Sequence, residues 1–125
     1  MKKSSSRRSH ESVARAIVAM DDIWIRLFRD IGLSDLSYCD LLIQMWLKRG
    51  HELHKTDLYD FMPSVSRRTA VKYVQRAIDE GHLNEKSTKL DKRVRRVELT
   101  PSTVKRLEQF FELTTDQFFG TVSDK

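Results

Sequence analysis

Cysteine occurs once in this chain of 125 residues, at Cys39. A single thiol excludes an internal disulfide framework and fits a reducing compartment. Long apolar runs are missing as well. None approaches the ~18 residues of a membrane-spanning helix, so no integral membrane protein is expected. The basic opening, residues 1–10, leads into no signal-type apolar core or small-residue cleavage site. Secretion is therefore not expected, and a cytoplasmic, nucleoid-associated chain is. No glycine-rich loop is present to cradle a phosphate, and no internal repeat is visible. What remains is a soluble globular balance, 39% hydrophobic and 33% charged. The length suits one compact domain of ~100–150 residues. A chain of this size buries roughly two-thirds of its unfolded surface and needs no covalent staples.

The formal net charge of +5 is unevenly placed. Residues 1–10 carry +4, residues 11–65 carry −3, residues 66–97 carry +6 and residues 98–125 carry −2. The body is mildly acidic, while one central block and the leading tail are basic. Such a concentration favours a polyanionic partner, nucleic acid ahead of a membrane surface. A solvated basic face is the bland alternative.

The stretch MKKSSSRRS, residues 1–9, has no apolar residue after its methionine. It cannot offset its ordering entropy by burial and is expected to be a basic disordered arm. Such an arm either serves solubility or touches phosphates. Residues 10–125 are expected to form a single domain. From Glu11 to Ile31, apolar residues from Val13 through Trp24 to Phe28 step by three or four, which predicts a long amphipathic helix stopped by Gly32. Val18 and Ile25 widen its stripe, as a subunit contact or a sheltered helix would require. Ser37 is expected to open a second helix with Asp40 in a capping-box-like arrangement. Leu41, Leu42, Met45 and Trp46 supply its buried face, and Gly50 its stop. His51–His54 is a connector with room for one brief strand. Thr56–Met62 has a short helical pattern broken by Pro63.

Ser66 reads as the N-cap of the next helix and Gly81 as its end. Ala70, Val74, Ala77 and Ile78 lie on one face, leaving Arg67, Arg68, Lys72, Gln75 and Arg76 on the other. Tyr73 is ambiguous, a core ring with its hydroxyl at the rim. Leu83 to Leu99 then changes rhythm to alternation, as a two-stranded ribbon with a long basic tip would. Thr100-Pro101 starts a final helix through Val104, Leu107, Phe110 and Phe111. Phe118 and Phe119 are too apolar for a free tail and are expected to pack on this chain or a partner. The fold expected is mainly α with a small β-hairpin. It is a winged helix-turn-helix, a three-helix core plus wing flanked by N- and C-terminal helices.

That order carries a function. A helix with one apolar and one long-armed polar face can serve both a core and a major groove. On this reading Ser66, Arg67, Arg68 and Thr69 occupy the helix end that points into the groove, with Lys72 and Arg76 further along as phosphate contacts. Arg67 and Arg68 either grip guanine or touch phosphate. Lys86, Lys89, Lys92, Arg93, Arg95 and Arg96 on the hairpin could straddle phosphates or enter a minor groove.

The stretch Leu36–Phe111 resembles the MarR family of winged-helix transcriptional regulators. The likeness is carried by SVSRRTAVKYVQRAIDEGHL, for turn, recognition helix and first wing strand, and by DKRVRRVELTP, for the returning strand. Asp91-Lys92-Arg93 resembles that family's Asp-x-Arg wing motif, and Leu99-Thr100 its strand-to-helix junction. The resemblance implies that Arg93 reaches the minor groove while Asp91 holds the wing. It also implies a homodimer built on the first and last helices, 10–33 and 101–119. Pro101-Ser102-Thr103 departs from the pattern by lacking the glycine common there, and the C-terminal helical region is short.

Other clusters read as structure. His51-Glu52-Leu53-His54 spaces its histidines by three after a helix-stopping glycine, where the zinc-protease motif needs four on a helix. Cys39 reads as a packed thiol. Asp21 and Asp22 splay apart. Nothing argues for an enzyme, a metal or a cofactor. The expectation is a sequence-specific regulator of double-stranded DNA, with no membrane role and any small-molecule effector unknown. The alternatives are a winged helix serving as a protein-interaction or assembly module, or a replication or partition DNA-binding protein.

Overall fold

Among the described residues, the apolar periods and their breakers yield five α-helices and two strands. A computed structural model describes residues 2–88 and 90–120, with side chains from residue 9 onward. Helix α1 spans Lys2–Phe28 and runs into a 3-10 turn, Arg29–Ile31. Helices α2 (Leu36–Leu47), α3 (Lys55–Asp60) and α4 (Arg67–Asp79) follow. Strands β1 (Leu83–Ser87) and β2 (Arg95–Leu99) pair antiparallel, with Leu83 opposite Leu99 and Ser87 opposite Arg95. Helix α5 (Pro101–Phe119) closes the series. The chain is mainly helical with one hairpin wing, as expected.

Helix α1 begins at Lys2, within the stretch expected to be a basic arm. It holds no proline or glycine, and a helix nucleated over an apolar stripe continues through lysine, serine and arginine at little cost. The chain groups into two compact units. Asp35–Leu107 form one, and the residues up to Ser34 together with those from Glu108 form the other.

In the unit of the terminal helices, Trp24 is fully buried. It stacks on Phe28 at 3.7 Å between ring centroids and meets Phe110 of α5 edge-on at 5.1 Å. Gly32 adopts φ 77° and reverses the chain, a conformation a residue without Cβ reaches most easily. The indole Nε1 of Trp24 donates to Leu33 O at 3.0 Å, so the buried ring also satisfies a carbonyl of that turn. Val13, Ile17, Leu113 and Phe118 are exposed, and Val18 and Phe119 reach 69% and 78% exposure.

In the other unit, α2, α3 and α4 bury Leu41, Leu42, Met45, Leu58, Ala70, Val74 and Ala77, with Leu83 and Val97 added from the wing. The α2 cap is Asp35, whose carboxylate accepts from Ser37 N at 2.8 Å, and Ser37 does not open the helix as expected. A carboxylate two residues earlier satisfies an orphan N–H. Ser37 is buried instead, with its Oγ 3.1 Å from Ser64 Oγ. Trp46 is half-buried rather than buried, and the Arg49 guanidinium lies over its ring at 3.7 Å. Helix α3 starts and ends before the Thr56–Met62 pattern, since Asp57 Oδ2 accepts from His54 N at 2.9 Å. The connector His51–His54 carries no strand, yet Leu53 O accepts from Val97 N at 2.8 Å and so lies beside β2.

Candidate nucleic-acid interface

Helix α4 is fixed to α2 by two tyrosines. Tyr38 and Tyr73 stack at 4.9 Å, Tyr38 Oη donates to Tyr73 O at 3.0 Å, and Tyr73 Oη donates to Asp35 Oδ2 at 2.9 Å. Burial pushes the Tyr38 hydroxyl up to about 12, which keeps it a donor. Burial acts to raise Asp35, but hydrogen bonds from Ser37 N–H and from the Tyr73 and Ser37 hydroxyls outweigh it and hold the carboxyl below its usual 3.8. Tyr73 is therefore a positioning residue for the outer face of α4, with its hydroxyl at the rim.

On that face the expected contacts separate. Ser66 Oγ caps α4 by accepting from Thr69 N at 3.1 Å, and it donates to Thr69 Oγ1 at 3.1 Å. These two hydroxyls thus hold the helix start. Arg67 lies 3.7 Å from Asp60 and 5.2 Å over the Tyr59 ring, both close to the end of α3. Arg76 pairs with Glu80 at 3.4 Å. Arg68 and Lys72 are exposed and have no ion pair among the described residues. Between them sits Val71, 40% exposed, which the reading of charges missed. Its signal was available: it follows Ala70 by one position, and 100° of helical rotation carries it off the apolar face.

The wing is similarly divided. Lys89 lies outside the described residues. Lys86 lies 3.2 Å and Arg96 3.6 Å from Glu98, and Arg95 lies 3.4 Å from Glu85. Three of the cations expected to face a polyanion are thus held by the wing's own carboxylates. Lys92 is exposed without an ion pair among the described residues. Arg93 is 91% exposed while its Nε stays 3.3 Å from Asp91 Oδ1. Asp91 Oδ1 also accepts from Arg93 N at 2.9 Å, and these bonds, the backbone one foremost, hold its carboxyl below the usual range. The Asp-x-Arg triplet is therefore a closed local motif that presents a guanidinium to solvent.

One residue that sequence reasoning passed over joins helix to wing. Lys55 Nζ, on α3, donates to Gln75 Oε1 of α4 at 2.9 Å and lies 3.3 Å from Glu85 Oε2 of β1. Since Arg95 of β2 meets the same carboxylate, the outer face of α4 and the base of the wing adjoin at this ammonium. Isolated spacing could not reveal it, because the three partners come from three elements.

His54 Nε2 lies 3.1 Å from Glu52 and its Nδ1 2.9 Å from Arg95 O. No group of three or more metal-binding side chains occurs among the described residues, and Cys39 is buried. No helix among them is long and apolar enough to cross a membrane.

No protein-family model matches this chain, and no curated protein matches it. Solved structures do. The transcriptional regulator Tm0710 from Thermotoga maritima superposes with a TM-score of 0.66 at 19% identity, covering 94% of this chain and 80% of its own. A mutant of S. aureus MepR bound to an oligodeoxyribonucleotide gives 0.65 at 15% identity, over 100% of this chain and 84% of its own. A mutant MarR from E. coli complexed with operator DNA gives 0.56 at 15% identity, over 85% of this chain and 73% of its own. The helix order, the capped fourth helix and the closed hairpin together make this the winged helix-turn-helix fold of MarR-type regulators.

Proposed function

We propose that this chain is a sequence-specific regulator that binds double-stranded DNA as a homodimer, with α4 in the major groove and the wing on the adjacent minor groove and backbone. The observation that carries this reading is the set of cations left without an ion pair. Arg68 and Lys72 on α4 and Lys92 on the wing tip are exposed without an ion pair among the described residues, and Arg93 is turned to solvent next to Lys92. Cations already paired with carboxylates gain less from a phosphate, so Arg68, Lys72 and Lys92 lead the attraction, and Arg93 joins them by exchanging its Asp91 contact for a phosphate. In this arrangement Arg68 faces base edges and Lys72 the backbone. Val71, between them, suits the methyl group of thymine. Support also comes from the fold, which MepR and MarR bring to DNA.

The dimer rests on the exposed apolar side chains of α1 and α5, Val13, Ile17, Val18, Leu113, Phe118 and Phe119. A two-fold pair would set its recognition helices about 34 Å apart, one helical turn of DNA, and read a pseudo-palindrome. Fragments selected from a random duplex library should carry such symmetry. Their affinity should fall steeply with salt, each neutralised phosphate contributing about 0.9 to the logarithmic slope. Arg93→Ala should lower that slope by about one and weaken the preference for A·T-rich flanks. Affinity independent of salt would point to a protein-assembly module instead.

A further inference from the structure

Leu90 places a large apolar side chain where turn chemistry calls for small or polar ones. It is 100% exposed, in the tip that joins β1 to β2. The tip around it is closed by its own hydrogen bonds. Thr88 N donates to Val94 O at 2.9 Å and Val94 N to Asp91 O at 3.0 Å. Thr88 Oγ1 donates to Asp91 O at 2.8 Å and accepts from Asp91 N at 3.1 Å. Thr88, Asp91 and Val94 are thus tied together while the Leu90 side chain is presented outward. Lys92 and Arg93 lie two and three residues further on in the same tip, after Asp91, whose carboxylate orients Arg93.

We propose that Leu90 is an apolar wedge that enters the minor groove and inserts between two base pairs, unstacking them and kinking the duplex. This rests on the DNA-binding reading above and adds what the wing does once it arrives. The exposed leucine gains only where it finds an apolar slot, and its cationic neighbours restrict the partner to a polyanion. In a duplex the slot that meets both conditions is the stack itself, opened from the minor groove. Pyrimidine–purine steps such as TA unstack most easily. Leu90 therefore confers a preference for such a step beneath the wing without a hydrogen bond to any base.

The test uses the full chain and the duplex it selects from a random library, circularly permuted for gel bending and labelled with 2-aminopurine under the wing. The wild-type chain should bend the duplex and raise the 2-aminopurine fluorescence. Leu90→Ser should lose both signals and roughly three- to tenfold in affinity, while Leu90→Met keeps them. Because the side chain is fully exposed, both variants should melt with the parent. A Leu90→Ser chain that bends and unstacks like the parent overturns the wedge and leaves the regulator reading standing. So does a parent that binds its duplex without bending it. A parent that binds no duplex at any salt concentration overturns both.

Discussion

Arg67 and Arg68 occupy consecutive positions in the first turn of α4, and their surroundings differ. The Arg67 guanidinium sits near Asp60 and over Tyr59, whereas Arg68 extends from the outer face without an ion pair among the described residues. Arg68→Ala should therefore weaken binding to the selected duplex by roughly 5- to 150-fold, the value of about 1–3 kcal/mol for a good base contact, and relax preference at one base position. Arg67→Ala should cost less than Arg68→Ala in affinity. Competition binding against single-base variants of the duplex separates the two, and equal losses would contradict the assignment. Charge and helical phase put both arginines on the polar face from sequence alone. What divides them is Asp60 and Tyr59, close to the end of α3, which no count along α4 contains. The same holds for Arg95, whose partner Glu85 lies on the opposite strand.

Among the elements, α4 was legible because its signals are local: Ser66 as cap, Gly81 as stop, and the Ala70, Val74, Ala77 face. The start of α2 was misplaced because Asp35 and Ser37 are both good caps, and which one serves depends on where the chain leaves the preceding turn. Asp35 has a second role, accepting the Tyr73 hydroxyl and so helping to hold α4 against α2. Its carboxyl is held below 3.8, a depressed carboxylate, so the stability it adds is present above 3.8 and is lost as pH falls through the lower folded value. Denaturant midpoints between pH 7 and pH 2 should drop across that window. Asp35→Asn keeps an acceptor but removes the charge, and should flatten the drop. Tyr73→Phe should cost about 1 kcal/mol at pH 7. An Asp35→Asn chain with the parent's acid limb would remove Asp35 from this role.

At the scale of the whole molecule, the terminal helices raise a question that one chain cannot answer internally. Val18 and Phe119 are large, apolar and mostly exposed. A second copy burying them is the proposed remedy, so Val18→Glu combined with Phe119→Glu should halve the mass measured by sedimentation. Affinity for the two-half-site duplex should then fall on the order of a hundredfold or more, because the second half-site is no longer engaged in the same complex. A double variant that still sediments as a dimer would move the interface elsewhere. Sequence alone settled the helix order, the hairpin, the stops at Gly32 and Gly81, and the concentration of cations in residues 66–97. Periodicity, capping and turn preference act within a few residues, and those features need nothing more. Tertiary structure alone decided which cations are left for a partner, that Lys55 ties the outer face of α4 to the wing, and that Leu90 protrudes from a closed tip. Each of these depends on carboxylates, carbonyls or solvent meeting a side chain across the fold, and such encounters are set by packing rather than by position along the chain.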